Sequence, residues 1–183
     1  SKVRPHFHIA VQSGDDTILK EMNRNYTISE IKELISYIRS KNPNAAVNTD
    51  IILGFPGEEE KNFQNTINLI NEVKFSRIHI FEYSKRSGTK AALMKELDPK
   101  IVHKRYKIVS ELRTKYMIEY ASRWLNQTLE VLVEGRDSST QMLDSLSENY
   151  IRVFFEGDDK LIGKIIPVKI TKVENDFAIG RMI

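Results

Sequence analysis

The sequence contains no cysteine in 183 residues. That excludes a disulfide scaffold, a Cys-liganded zinc or iron–sulfur site and a thiol nucleophile within this chain. Glycine (8) and proline (5) are scarce, and with 29% charged and 40% apolar residues the composition is neither low-complexity nor disordered. No apolar run approaches the roughly 18 to 20 residues of a membrane span, and no signal peptide precedes the strand-like segment that follows Pro5. A soluble, cytoplasmic protein is expected. GxSxG, P-loop and GxGxxG patterns are also missing, so acyl transfer, nucleotide hydrolysis and Rossmann dinucleotide binding lose their usual support. The four histidines, His6, His8, His79 and His103, have no second ligand at a metal-binding spacing and read as structural or solvent-facing.

What is present divides in two. Three short apolar runs, Phe7 to Val11, Val47 to Leu53 and Ile78 to Tyr83, are each followed by a helical pattern. Asp15 to Arg24 and Thr27 to Ser40 follow the first, with Ile28, Ile31, Ile35 and Ile38 at helical spacing; Glu58 to Val73 follows the second. The third leads through a polar loop into a long helix from about Asp98 to Leu125, with Pro99 in its first turn. Alternation of this kind predicts an α/β fold with a parallel sheet. Beyond Asn126 the period becomes two: Thr128 to Val133, Tyr150 to Phe155, Ile165 to Lys172 and Phe177 to Met182 read as strands of a small antiparallel barrel. The predicted domains are 1–125 and 126–183.

Charge separates the same two parts. Residues 1–126 carry 21 basic and 15 acidic side chains, and residues 127–183 carry 7 and 10. The excess sits on the long helix, where Lys100, Lys104, Arg105, Lys107, Arg113, Lys115 and Arg123 face only Glu111 and Glu119. A solvated helix face and a phosphate-tracking surface both fit this pattern.

Polar residues past the carboxyl ends of parallel strands are where α/β proteins place ligands. The first run ends in Gln12-Ser13-Gly14-Asp15-Asp16, the second in Gly54-Phe55-Pro56-Gly57-Glu58, the third in Tyr83-Ser84 and then Arg86-Ser87-Gly88-Thr89. Asp16 suits a helix cap, and Pro56 and Gly57 suit a turn. Asp50, set among Val47, Ile51, Ile52 and Leu53, needs a partner: an Arg or Lys, or a ligand hydroxyl or amine.

Three segments in order carry a family resemblance. His8-Ile9-Ala10-Val11-Gln12-Ser13-Gly14-Asp15-Asp16 with Met22-Asn23-Arg24-Asn25-Tyr26-Thr27, then Thr49-Asp50-Ile51-Ile52-Leu53-Gly54-Phe55-Pro56-Gly57-Glu58, then Phe81-Glu82-Tyr83-Ser84-Lys85-Arg86-Ser87-Gly88-Thr89, resemble the radical S-adenosylmethionine methylthiotransferases. The tail from Leu125 resembles the TRAM domain that closes those enzymes. The resemblance covers essentially this whole chain but only the carboxyl-terminal part of the family's proteins. It implies the second half of a partial (βα) barrel, three βα units, followed by an OB-like TRAM barrel.

The family's two 4Fe-4S clusters are held by cysteines upstream, so the resemblance implies that this fragment binds neither and is inactive alone. It implies Gln12, Arg24 and Asp50, with Ser13 beside them, as ligands of S-adenosyl-L-methionine; Arg24 suits the cofactor carboxylate and Asp50 its ribose hydroxyls. Glu58 is expected to stabilise a helix start. tRNA is the implied partner, with Lys85, Arg86, Lys104, Arg105 and Arg152 as the expected RNA contacts, and Lys90 beside the first two. Glu148-Asn149-Tyr150-Ile151-Arg152-Val153 and Leu161-Ile162-Gly163-Lys164 are similar to the branch that methylthiolates C2 of N6-threonylcarbamoyladenosine next to the anticodon. Ala10 and Lys85 depart from the residues many relatives carry. The isopentenyladenosine branch, the ribosomal-protein branch and a non-catalytic RNA-binding module stand as alternatives. The strand edge at Phe7 to Val11 predicts self-association.

Overall fold

A computed structural model describes residues 4–183. Its elements run β1 (His6–His8), α1 (Asp16–Glu21), α2 (Ile28–Lys41), β2 (Ala46–Leu53), α3 (Glu60–Val73), β3 (Arg77–Glu82), α4 (Pro99–Ser122), then β4 (Thr128–Arg136), β5 (Leu143–Ser147), β6 (Arg152–Phe155), β7 (Ile165–Val173) and β8 (Ala178–Met182). The chain divides into two compact units, residues 7–113 and residues 4–6 with 114–183.

The first unit is built on a three-stranded sheet of order β1-β2-β3, in which β2 and β3 run parallel with Asp50 opposite His79 and Ile52 opposite Phe81. Alternate residues of β2 (Val47, Thr49, Ile51, Leu53) have no exposure. They share a core with Ile31, Ile35 and Ile38 of α2 and Phe63, Leu69 and Ile70 of α3. The residues between them, Asp50 and Ile52, are half-buried, as is His79, and Phe81 is 51% exposed, so the sheet's other face is the polar, accessible one. Thr27 and Glu30 form a capping box that starts α2, and Arg39 donates to the carbonyl of Val73 at 2.6 Å, tying α2 to the end of α3.

The β1 ladder is shorter than the Phe7 to Val11 run. The Val11 amide turns to Thr49 Oγ1, and parallel pairing resumes only where Gln12 bridges Ile51. Asp15, not Asp16, caps α1; Asp16 accepts instead from the Ile28 amide at 2.7 Å. Glu58 lies two residues before α3, whose cap is Glu59.

In the second unit β4, β5, β6, β8 and β7 close into a barrel. All pairs are antiparallel except β6 with β8, which closes the ring in parallel through Val153 opposite Ala178 and Phe154 opposite Ile179. Leu129, Val131, Val133, Val153, Phe155, Val168 and Ile170 fill its interior. Strand β5 carries no apolar alternation because two of its three inward residues are serines. Ser145 Oγ donates to the Val153 carbonyl at 2.6 Å and Ser147 Oγ to the Ile151 carbonyl at 3.0 Å, so both hydroxyls are buried at little cost.

Among the described residues no helix is long and apolar enough to cross a membrane.

Candidate functional site

The site residues expected from the first motif gather where the chain leaves β1. Gln12 adopts left-handed backbone (φ +72°), a conformation that costs a non-glycine residue energy. Its peptide is held on both sides by β2: the Gln12 amide donates to the Asp50 carbonyl at 2.8 Å, and the Ile52 amide donates to the Gln12 carbonyl at 2.9 Å. The Tyr26 hydroxyl, reaching back from beyond α1, donates to the carbonyls of Ala10 (2.9 Å) and Val11 (3.2 Å). Burial pushes the Tyr26 phenol up, and the nearby Arg24 charge opposes this only partly. The strand end is thus fixed by main-chain bonds on one side and a phenol on the other.

Asp50 sits on the accessible face of β2, and its partner is His8. The Nε2 of His8 lies 3.0 Å from Asp50 Oδ1, both side chains being partly exposed. The partner is neither an Arg nor a Lys. The rings of His8 and His79 stand 5.6 Å apart, so two imidazoles and one carboxylate from three adjacent strands share one patch. His79 is held below the ordinary imidazole range by burial first, then by the charge of Arg77, with His8 and Arg113 adding to it and Asp50 opposing. Its folded pKa lies below the unfolded value, so the unfolded chain binds more protons near pH 6.5. The His79 contribution to stability is therefore complete above that pH and is lost as pH falls through the folded pKa. Melting temperatures followed from pH 7.5 to 5 should fall less in His79→Gln than in the parent; equal slopes would contradict this.

The structure joins Gln12 and Asp50 but not all four proposed ligands. Ser13 is buried, and its hydroxyl accepts from the Asp15 amide at 3.3 Å. Arg24 is exposed beyond α1, and among the described residues no hydrogen bond links its side chain to the other three. Gly14 lies where the same loop meets α3: its amide donates to Thr66 Oγ1 at 2.9 Å, and a Cβ there would stand 2.4 Å from the Thr66 Cα.

After β2, Gly54 takes a left-handed φ of +75°, and its amide donates to Glu58 Oε2 at 3.0 Å. The same carboxylate oxygen receives Arg105 NH1 at 2.6 Å, with the two side chains 1% and 5% exposed. Arg105 also donates to the Glu58 carbonyl at 3.2 Å and stacks over Phe63 at 4.9 Å. Burial pushes the Glu58 carboxyl up, against the opposing pull of the Gly54 amide and the Arg105 guanidinium. Arg105 is therefore not an RNA contact: its guanidinium fastens α4 to the loop after β2 and is not available to solvent. Lys85 and Arg86 are exposed on the loop after β3, where Lys85, Ser87, Thr89, Lys90 and Leu93 line an open hollow of about 690 Å³. Lys104 is exposed on α4, and Arg152 is 46% exposed on β6 with Nε 2.9 Å from Asp144.

Three features escaped the sequence. His8, structural or solvent-facing by its sequence, pairs with Asp50; Tyr26 braces the strand end; Glu58 joins a loop to α4. None has a local signal, because each depends on which residue of another strand or helix lies opposite.

The described residues form a three-stranded sheet packed with helices and a closed five-stranded barrel, and each part has a match of its own. Residues 2–70 match the Radical SAM superfamily, and residues 123–183 match the TRAM domain. The chain is 38% identical, over its whole length and 41% of the relative, to the threonylcarbamoyladenosine tRNA methylthiotransferase MtaB of Bacillus subtilis (strain 168). It is 42% identical to tRNA-2-methylthio-N(6)-dimethylallyladenosine synthase of Thermoanaerobacter sp. (strain X514), over 94% of this chain and 37% of that protein. Among solved structures, coproporphyrinogen III oxidase (HemN) from Escherichia coli, a radical SAM enzyme, aligns with a TM-score of 0.52 at 19% identity, over 61% of this chain and 27% of that one, which bears on the fold alone. The chain carries a Radical SAM match and a TRAM match and is similar to tRNA methylthiotransferases, of whose length it spans about two fifths.

Proposed function

We propose that these residues are the carboxyl-terminal part of a tRNA methylthiotransferase that adds a methylthio group to C2 of N6-threonylcarbamoyladenosine, in the cytoplasm. The observation that carries the reading is similarity over the whole chain to enzymes of both tRNA-modifying branches, with half-barrel and TRAM domain in one order. The branch assignment rests on the Glu148-Asn149-Tyr150 and Leu161-Ile162-Gly163-Lys164 segments. We place the border between the two domains at Leu125, just past α4.

The donor set fits S-adenosyl-L-methionine and not a cluster, since no thiolate exists in the chain. Gln12 and Asp50 would hold the cofactor: Asp50 Oδ1 is engaged by His8, leaving its second oxygen to accept from hydroxyls, while Gln12, 7% exposed, carries both a donor and an acceptor. Arg24, exposed, would have to come in to pair with the cofactor carboxylate, and Ser13 would contribute through the backbone more than its committed hydroxyl. When bound, the cofactor supplies the radical and methyl chemistry of the reaction. The two 4Fe-4S clusters would be held by the rest of the parent, so this chain alone is expected to be inactive. For tRNA, Lys85, Arg86 and Lys104, exposed in the first unit, and Arg152, exposed on the barrel, would take the phosphates.

The test is nucleoside mass spectrometry of tRNA from cells whose only methylthiotransferase is the full-length protein containing this chain. Methylthio-threonylcarbamoyladenosine is expected. Methylthio-isopentenyladenosine in its place would move the protein to the sister branch, and an unmodified tRNA pool beside a modified ribosomal protein would move it to the protein-modifying one.

β1 is an edge of the three-stranded sheet, so we also propose that the isolated chain self-associates through it. Sedimentation velocity at increasing concentration should show a rising average mass, and a constant monomer value would refute the pairing.

A further inference from the structure

The turn between β5 and β6 places a large aromatic residue where the backbone disfavours one. Tyr150 has φ +65°, in the left-handed region that glycine and asparagine tolerate far better than an aromatic residue. Its neighbour Asn149 does not occupy that position; it is buried, and its Oδ1 accepts from Ser147 Oγ at 2.6 Å. The turn is fixed further by Tyr150 N–H donating to the Ser147 carbonyl at 2.9 Å and Ile151 N–H to Ser147 Oγ at 2.8 Å. A strained conformation held by its surroundings directs attention to what the side chain does.

The ring is presented outward rather than packed into the barrel. Tyr150 is 40% exposed although the His6 imidazole lies parallel to it, centroids 4.1 Å apart and planes 7° apart. The residues two before each ring, Arg4 and Glu148, form an ion pair, Arg4 NH1 to Glu148 Oε2 at 2.7 Å. Two residues along from Tyr150, at the start of β6, Arg152 is again exposed, with Ile151 buried between them. Arg4 is held by Glu148 in an exposed pair, weak enough for a phosphate to displace, and Arg152, 46% exposed, pairs with the more buried Asp144.

We propose that the His6–Tyr150 stack is a platform on which an unpaired RNA base stacks, with Arg152 and Arg4 taking the flanking phosphates. The tyrosine ring supplies a π-face to any base, and His6 behind it fixes its orientation so that little freedom is lost on binding. This rests on the RNA-binding reading above and adds a site to it: a base contact on a barrel whose net charge is negative, where phosphate attraction alone is a poor explanation of binding.

The experiment measures binding of two probes to the 183-residue chain, a uridine decamer and an abasic ribose-phosphate decamer of the same charge. Tyr150→Asn suits the left-handed backbone and removes the ring, and Tyr150→Gly does the same as a second ring-less variant. Each should weaken decamer binding about tenfold, the size of one lost base stack, while leaving the abasic probe and the melting temperature close to the parent values. Tyr150→Phe should bind both probes as the parent does. Unchanged decamer affinity in both ring-less variants, or an equal loss on both probes, overturns the platform while leaving RNA binding intact. Failure of the parent chain to bind either probe overturns the platform and the RNA reading together.

Discussion

Arg105→Ala should lower the stability of the chain by about 3 to 5 kcal/mol, because it leaves the Glu58 carboxylate buried and unpaired. The pair is 1% and 5% exposed with an N to O distance of 2.6 Å, so removing the cation exposes no water to replace it. The second acidic partner, Glu60 at 3.3 Å, is 80% exposed and contributes little. Lys104→Ala, one residue away but exposed, should change stability by no more than about 0.5 kcal/mol. Replacing both members of the pair by apolar residues of similar volume should restore most of the loss, since the cost arises from an isolated charge rather than from a missing attraction. Urea unfolding of the four proteins checks this. A loss under about 1 kcal/mol for Arg105→Ala would mean that Glu58 reaches water or takes up a proton at no cost.

Gly14→Ala should be of the same order, about 3 kcal/mol or more, or should prevent folding of the first unit. Its Cβ would meet Thr66 Cα at 2.4 Å, Asn65 O at 2.8 Å and Thr66 N at 2.8 Å, all backbone atoms of α3 that no rotamer change can move. Overpacking against flexible side chains costs about 1 to 3 kcal/mol, and against a helix backbone the helix itself has to shift. Gly135→Ala is the matched control: nothing lies within 4 Å of its Cβ position and its φ is not in the left-handed region. Thermal unfolding should separate the two variants by about 10 °C or more, and equal midpoints would show that α3 can move away without penalty.

The half-barrel was legible because its signals are local. Ile31, Ile35 and Ile38 at helical spacing are the buried residues of α2, and the run around Ile51 is the central strand of the sheet. The barrel was legible strand by strand except at β5, where serines bonded to carbonyls replace apolar residues and erase the period. Its parallel closing pair, β6 with β8, leaves no mark on sequence, since strand direction is set by connections and not by composition.

The site divides in the same manner. That Gln12 lies past the first strand and Asp50 within the second was readable from the order of motifs. That Asp50 is held by a histidine from the next strand did not, because register between strands is a tertiary property. Charge on α4 misled for a related reason: a helix wheel of lysines and arginines does not reveal which one turns inward, and Arg105 does so because Glu58 waits in the loop it covers. The role of Gly14, letting the approach to α1 run against the backbone of α3, has no local signal in the sequence.

The central claim is that the accessible face of β1 and β2 is the cofactor-facing wall of a tRNA methylthiotransferase. It is tested most directly by quantifying methylthio-threonylcarbamoyladenosine in tRNA from cells carrying, as their only source of this activity, the full-length protein with Asp50→Asn. That substitution keeps the size of the side chain and its place beside His8 while removing the charge that would accept from the cofactor. The account predicts loss of most of the methylthiolated nucleoside at unchanged protein level. Parent-level modification in the Asp50→Asn protein would contradict it.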